Sequence, residues 1–203
     1  MSVSELTTYI ALGFRHITDP RGADHILFLL VLAAIYGPRE WRRILWVVTA
    51  FTAGHSLTLA LAVTGLLRLP TPLVEFLIPV TIVLTAIENI VVKDRSGAGW
   101  RARYRPMLAG VFGLVHGAGF ANYLQSLFVD HIAVPLFGFN VGIECGQLVV
   151  LTLAFALFVS IDRVVSWLQR QPLAAGVPRM RTVVVSCAVA LVAARWAVER
   201  APW

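Results

Sequence analysis

The sequence predicts an all-α fold, a polytopic bundle of transmembrane helices. Apolar residues make up 58% of the 203 residues, with a mean hydropathy of +0.78, and they are gathered into long runs. Soluble domains contain about 45–50% apolar residues. Only 14% of the residues are charged, so a water-soluble fold would lack the polar surface needed to cover these runs. The whole chain, residues 1–203, is therefore predicted to be a single integral membrane domain.

Six apolar runs are the predicted spans, because a membrane helix needs about 20 apolar residues. They are residues 24–36, 43–66, 72–92, 106–128, 132–161 and 181–198. The first run is too short to cross alone, and Pro20 and Gly22 separate it from the interrupted apolar segment 5–18. We expect that segment either to extend the first span as a broken helix or to form a seventh, N-terminal or re-entrant, segment.

The basic residues predict the orientation of the bundle. Most of the 17 Lys and Arg residues lie in three alternate loops, at residues 39–43, 93–105 and 163–181. Loops rich in Lys and Arg stay in the cytoplasm. These loops are therefore predicted to face the cytoplasm from a bacterial-type inner membrane, with Asp24 and the C-terminus facing outward. The net charge of +6 is attributed to this bias, and no nucleic-acid partner is expected. We expect no removable signal peptide.

Polar and ionisable residues lie inside the predicted spans or at their mouths. An ionisable group costs on the order of 2.5 kcal/mol or more in the hydrocarbon core, so it usually faces a cavity or a partner. In chain order they are His16, Asp24, His25, His55, Ser56, Glu88, Asn89, His116, Asn140, Glu144 and Gln147. Any single one has a structural reading as well, such as an interhelical hydrogen bond or a helix cap.

Together these residues predict a site for a divalent metal ion, because imidazole and carboxylate ligands suit nickel, cobalt or zinc. Asp24 and His25 place both ligand types at a helix start. His55, His116 and Glu144 come from three helices and could converge on the bundle axis. The predicted metal ligands are His16, Asp24, His25, His55, His116 and Glu144. The predicted pathway or supporting residues are Ser56, Glu88, Asn89, Asn140 and Gln147.

Glycines on the fifth span predict close helix packing. Gly138, Gly142 and Gly146 recur every four residues, which places small residues on one face of a membrane helix. Asn140, Glu144 and Gln147 are spaced four and three apart, so we also expect them to share a face.

Several motifs in order resemble those of the HupE/UreJ family, most closely its second branch. They are Gly13-Phe-Arg-His16, Gly22-Ala-Asp-His-Ile-Leu-Phe-Leu-Leu30, Thr49-Ala-Phe-Thr-Ala-Gly-His-Ser-Leu-Thr-Leu59, Glu88-Asn89, Phe112-Gly-Leu-Val-His-Gly-Ala-Gly-Phe120 and Gly138-Phe-Asn-Val-Gly-Ile-Glu-Cys-Gly-Gln147. The resemblance implies nickel or cobalt uptake. It further implies that His16, Asp24 and His25 form an outer metal-entry motif, that His116 belongs to a later His-Gly motif, and that Glu144 is its acidic partner.

Three functions remain open at the level of sequence. The first is a permease for a divalent metal ion, with the ion and the lipid bilayer as partners; a homo-oligomer is compatible with it. The second is a zinc-dependent intramembrane hydrolase acting on a lipid or peptide, with Glu88 or Glu144 as the base. It lacks a recognisable hydrolase motif such as HExxH. The third is a metal sensor or assembly factor, against which the lack of a soluble signalling domain argues.

Overall fold

Helices form almost all of the chain. A computed structural model describes residues 3–37, 40–92, 100–125, 132–169 and 177–202. Within these ranges the secondary structure is seven α-helices and one short 3-10 turn, which confirms the all-α prediction. The helices are α1 (Val3–Thr18), α2 (Asp24–Ile35), α3 (Trp41–Val63), α4 (Thr71–Val91), α5 (Trp100–Gln125), α6 (Ala133–Gln169) and α7 (Val177–Glu199).

Four of the described helices are long and apolar enough to cross a membrane. They are α3, α4, residues Ala133–Leu168 of α6 and residues Arg179–Glu199 of α7. The helix α2 is apolar but has only 12 residues. The helix α5 has 26 residues, but the three arginines in its first turns, together with its glycines and His116, make it less apolar. These helices support an integral membrane protein.

The helix α6 continues well beyond its predicted end at residue 161. It extends to Gln169, although Asp162 and Arg163 mark the predicted boundary. Asp162 is buried and forms an ion pair with Arg181 of α7. Because the carboxylate is paired, the charge does not end the helix. The end of the predicted span 106–128 lies partly outside the described residues.

A sharp break separates α1 from α2. The Asp19 carboxylate accepts a hydrogen bond from the backbone N–H of Arg21 at 2.9 Å and so caps the 3-10 turn Pro20–Gly22. Proline has no N–H to donate to the helix ladder and clashes with the preceding turn. The sequence Asp-Pro-Arg-Gly therefore ends α1 and allows a new helix to start at Asp24.

The helices α1 and α6 pack in parallel through glycine. Gly138 of α6 lies against Leu6 of α1, and Gly146 lies against Ile17, so residue numbers rise together along both helices. A Cβ atom on Gly142, between them, would overlap the backbone of α1. The predicted close packing along this stripe is thus confirmed.

The helix α3 runs antiparallel to both α2 and α6. Phe28 of α2 stacks on Phe51 of α3 with ring centroids 4.9 Å apart, while the His25 and His55 rings lie 5.9 Å apart. The other contacts are Thr52 with Gln147 and His55 with Phe139. Since α1, α2 and α6 share one direction, α1 and α2 form one broken passage through the bundle rather than a hairpin.

A second parallel pair, α3 with α5, repeats the geometry of α1 with α6. A Cβ on Gly54 would meet the carbonyl oxygen of Gly110, as one on Gly13 would meet that of Phe139. Likewise, Gly113 faces the backbone of α3 as Gly142 faces that of α1. The two pairs run in opposite directions, so an approximate two-fold axis across the helices relates them. Inverted pairs of this kind are found in membrane transporters.

The tight glycine contact predicts a large difference between two neighbouring substitutions on α5. Gly113→Ala places a methyl group against the carbonyl oxygen of Phe51, whereas a Cβ on Gly110 makes an ordinary contact at 3.5 Å with the carbonyl oxygen of Ala50. Overpacking costs about 1–3 kcal/mol, so we expect Gly113→Ala to lower the thermal midpoint in detergent by about 5 °C. Gly110→Ala should leave it unchanged or slightly raised. Equal midpoints for the two variants would contradict this packing.

Candidate metal centre

Four histidines from four helices meet inside the bundle. His16 lies in the last turn of α1, His25 in the first turn of α2, His55 within α3 and His116 within α5. The break between α1 and α2 brings the His16 and His25 rings to within 4.6 Å. One ligand nitrogen from each of His16, His25 and His55 lies within 4.8 Å of the other two. We call these four residues the histidine cluster.

His116 completes the cluster from the side of α5. Its ring centroid lies 5.1 Å from that of His25. The Thr81 hydroxyl of α4 donates to the carbonyl oxygen of Ile78 at 2.7 Å, so its oxygen, 2.9 Å from His116 Nε2, accepts the N–H of that ring nitrogen. This contact fixes the ring and leaves Nδ1 available, as hydrogen bonds to the second nitrogen do for ligating histidines.

Five buried nitrogens of the cluster lack hydrogen-bond partners among the described residues. Those without a partner are His16 Nε2, His25 Nε2, both nitrogens of His55 and His116 Nδ1. Leaving a buried polar atom unsatisfied costs about 1–3 kcal/mol, and folded proteins satisfy nearly all such atoms. His55 is fully buried, and neither of its nitrogens is satisfied. A cation would take the lone pair of one nitrogen from each imidazole, so it would satisfy one nitrogen of His55 and leave the other as an N–H donor.

The spacing of the cluster suits a first-row transition ion after a small adjustment. Imidazole nitrogens bind zinc at about 2.0–2.1 Å, so ligands in a tetrahedral site lie about 3.4 Å apart. The three nitrogens already lie within 4.8 Å of one another. Side-chain shifts of about 1 Å would close that difference, and the donor set favours nickel, cobalt or zinc.

Aromatic rings enclose the cluster. Phe120 lies 4.1 Å from the His16 ring and stacks on Phe139 at 5.4 Å. Phe51 lies 5.1 Å from His116. These apolar walls leave the histidines with few competing polar neighbours, so a bound ion would interact mainly with imidazole.

A cavity of about 600 Å³ reaches the cluster from one end of the bundle. His16, His25 and His116 contribute to its wall. Its charged lining residues are Arg15, Asp19, Asp24, Glu75 and Arg200. Glu75 lies near the start of α4 and Arg200 follows α7, so the cavity opens at the end of the bundle opposite the three basic loops.

Asp24 lines this cavity but lies outside the group of three close histidine ligands. Its two carboxylate oxygens lie 3.2 and 3.3 Å from Nη1 of Arg200. Asp24 therefore lies next to His25 in sequence and already forms an ion pair with the Arg200 guanidinium.

Glu144 does not join the histidines in this structure. Gly142 and Gly146 face α1, and a residue two positions from each lies about 200° around the helix. Glu144 therefore occupies the opposite face of α6 and is exposed. Of the three residues expected to converge, His55 and His116 lie in the histidine cluster and Glu144 does not.

The amides and the serine of the predicted pathway have mainly interhelical or local roles. Gln147 is buried and accepts a hydrogen bond from Thr52 at 3.1 Å, which ties α6 to α3. Ser56 donates to the Thr52 carbonyl oxygen within α3. Asn140 is half-buried, and its Oδ1 has no hydrogen-bond partner among the described residues. Since Glu144 is exposed and Gln147 buried, these residues do not share one environment.

Glu88 and Asn89 lie at the opposite end of the bundle, among ion pairs. Glu88 binds Arg105 at 2.7 Å. The Asn89 side chain donates to the Val31 carbonyl oxygen at 2.6 Å. The buried pair between Asp162 and Arg181 lies at this end as well, where α6 meets the start of α7. Polar contacts among the described residues therefore join the helices at the end that carries the basic loops.

Several residues of the site are not apparent from sequence. Thr81 resembles any threonine of an apolar span, and Phe139 resembles a core residue. Arg200 lies 176 positions from its partner Asp24, so no local pattern connects them. The available signal is weak: Arg200 is one of two arginines at the end of the last span, on the side with few basic residues.

Comparison with known proteins identifies one family. The family model described as HupE / UreJ protein matches residues 1–200. No curated protein and no solved structure matches the chain.

The cluster predicts that metal binding depends on His55 and not on Glu144. We expect purified wild-type protein to bind Co²⁺, with a visible absorption band from imidazole coordination. His55→Gln should weaken binding about 100-fold, since it removes one of the three ligands that lie within 4.8 Å of one another. Glu144→Gln also replaces an ionisable side chain by glutamine, but on an exposed face, and it should bind Co²⁺ as wild type does. A large loss in Glu144→Gln with normal binding in His55→Gln would contradict this assignment.

Proposed function

We propose that this chain, which belongs to the HupE/UreJ family, transports a divalent transition-metal ion across the membrane through the histidine cluster. The main supporting observation is that His16, His25 and His55, from three helices, offer one ligand nitrogen each within 4.8 Å of one another, and that each of them has a buried nitrogen without a hydrogen-bond partner among the described residues. Nickel and cobalt are the proposed substrates, because the family is associated with their transport and imidazole suits both ions.

The charged cavity supports entry from the side opposite the basic loops. Three carboxylates, Asp19, Asp24 and Glu75, line it together with two arginines. Acidic groups in a cleft with apolar walls raise the local concentration of cations. The positive-inside rule makes this the external side, so the proposed direction is inward across a bacterial-type inner membrane.

The composition of the cluster supports an ion that can be released. The three close ligands are all imidazoles, and no carboxylate belongs to that group among the described residues. A divalent charge bound without a neutralising anion is held less tightly than one in a closed cysteine or carboxylate site. Conduction needs sites that bind strongly enough to admit the ion and weakly enough to release it.

The proposed exit lies at the end of the bundle that carries the basic loops. There Glu88 binds Arg105, and Asp162 binds Arg181. Arg179 also donates to the carbonyl oxygens of Asn89 and Ile90 at the end of α4. Separation of these contacts would open a path lined by the Glu88 carboxylate and the Asn89 amide. Lining this path is the proposed role of the two residues.

A second candidate is a zinc-dependent intramembrane hydrolase. The observation that favours it is the arrangement of three histidines beside a cavity of about 600 Å³, since catalytic zinc often has three protein ligands and an open position. The proposed bases fit less well: Glu144 is exposed, and Glu88 is paired with Arg105 at the other end of the bundle.

Transport and hydrolysis predict different results for reconstituted protein. We expect proteoliposomes containing wild-type protein to take up Ni²⁺ or Co²⁺, and His25→Gln to reduce uptake at least about tenfold, since it removes a ligand next to the cavity. Glu199→Gln, which alters only an exposed pair with Arg195, is the matched control and should transport normally.

Elemental analysis of the same preparation separates the two candidates. Protein purified without added metal should retain much less than one zinc per chain if it is a permease. Absence of ion uptake, combined with one zinc per chain that survives chelation and is lost in His25→Gln, would instead favour the hydrolase.

A further inference from the structure

Arg200 forms an ion pair with Asp24, the carboxylate that lies closest in sequence to the histidine cluster. Arg200 Nη1 lies 3.2 and 3.3 Å from the two oxygens of Asp24, the residue before His25. The side chain of Asp24 is 15% exposed and that of Arg200 is 32% exposed. Both line the same cavity as His25. The pair therefore lies on the route from the cavity mouth to the histidines.

Asp24 differs from the other two carboxylates of the cavity. Asp19 is exposed and already caps the turn by accepting from the Arg21 N–H. Glu75 is exposed near the start of α4. Asp24 is the partly buried acid of the three, so its charge is the least screened by water. It is also the one that carries a bound guanidinium.

Arg200 is held loosely enough to leave. Among the described residues its guanidinium donates hydrogen bonds to Asp24, and its Cζ lies 5.2 Å from the Trp196 ring centroid. It follows the end of α7, and a third of the side chain is exposed. Rotation of a long side chain at a helix end can therefore move the charge out of the cavity without moving a helix.

We propose that Arg200 is a built-in competitor of the transported ion: it neutralises Asp24 when no ion is bound and must be displaced when a divalent cation enters. A guanidinium and a divalent cation repel each other at such distances, so only one of them can be held by Asp24 at a time. A cation must then bind well enough to offset the lost ion pair, which disfavours weakly coordinating ions. Arg200 thus sets the affinity and selectivity of the site. This inference rests on the proposed function only in assuming that a cation enters through this cavity.

The competing explanation is that the pair only joins α2 to α7. Under that explanation Arg200→Gln lowers stability and leaves ion affinity equal or weaker. Competition predicts the opposite sign for affinity, because the substitution frees Asp24 and removes a positive charge from the cavity.

The test is a Co²⁺ titration of the purified full-length chain. Arg200→Gln should bind Co²⁺ about three- to tenfold more tightly than wild type, the range expected for release of one partly exposed ion pair. Arg200→Lys keeps the charge and should stay within about twofold of wild type. Arg195→Gln, which removes an exposed arginine of the same helix that pairs with Glu199, is the control and should leave affinity unchanged. Equal or weaker binding by Arg200→Gln would overturn the proposal.

A double-mutant cycle tests the route of the effect. In an Asp24→Asn background, Arg200→Gln should strengthen Co²⁺ binding much less than it does in wild type, because the carboxylate for which the two cations compete is absent and only the loss of one positive charge from the cavity remains. A full gain in that background would overturn the role of Asp24. Binding and uptake are measured separately. If Arg200→Gln binds Co²⁺ more tightly but vesicles with wild-type protein take up no ion, the competition by Arg200 is supported and the transport function is contradicted.

Discussion

Direct contact between helix backbones, made possible by glycine, is the constraint on which this structure depends. At Gly13, Gly54, Gly113 and Gly142 a single added carbon would overlap a backbone carbonyl oxygen of the neighbouring helix. In a bilayer, helices gain little from burying apolar surface, because lipid is as apolar as leucine, so close packing must hold them together. The two glycine-packed pairs are rigid units, and His16 and His55 lie on one helix of each. Backbone contact therefore fixes the helices that carry His16, His55 and His116 against their partners, independently of the histidines themselves.

The fold stabilises an arrangement that is locally unfavourable. Five imidazole nitrogens are buried without a hydrogen-bond partner in the described part of the chain, while the aromatic rings around them offer no compensation. The opposite end differs in that its buried charges form ion pairs, as Asp162 does with Arg181, although Asp162 Oδ1, Arg181 Nε and Asn89 Oδ1 have no hydrogen-bond partner among the described residues. In the interior, by contrast, three histidines from separate helices offer ligand nitrogens within 4.8 Å of one another. That grouping is what distinguishes the candidate binding site from the ion pairs at the other end.

The sequence predicted the helical membrane fold, the close packing at Gly138, Gly142 and Gly146, and the break before Asp24, because each depends on local pattern. It also identified the four histidines, since ionisable groups in apolar runs are conspicuous. It did not reveal which polar residues share a helix face with them. Glu144 was expected beside His116, but the glycines on either side of it bind α1 and turn it to the other face. The contact between Asp24 and Arg200 depends on how α2 and α7 meet, which no local spacing encodes.

The break at Pro20–Gly22 has an electrostatic consequence. It leaves the carbonyl end of α1 and the amide end of α2 near the same cavity, where an unbroken helix would have neither. Helix ends carry roughly half an elementary charge, negative at the carbonyl end and positive at the amide end. The end of α1, at His16, therefore attracts a cation, while the start of α2, at His25, repels one. Asp24, in the first turn of α2, cancels that repulsion. The aspartate thus lets a histidine at the amide end of a helix face a positive ion.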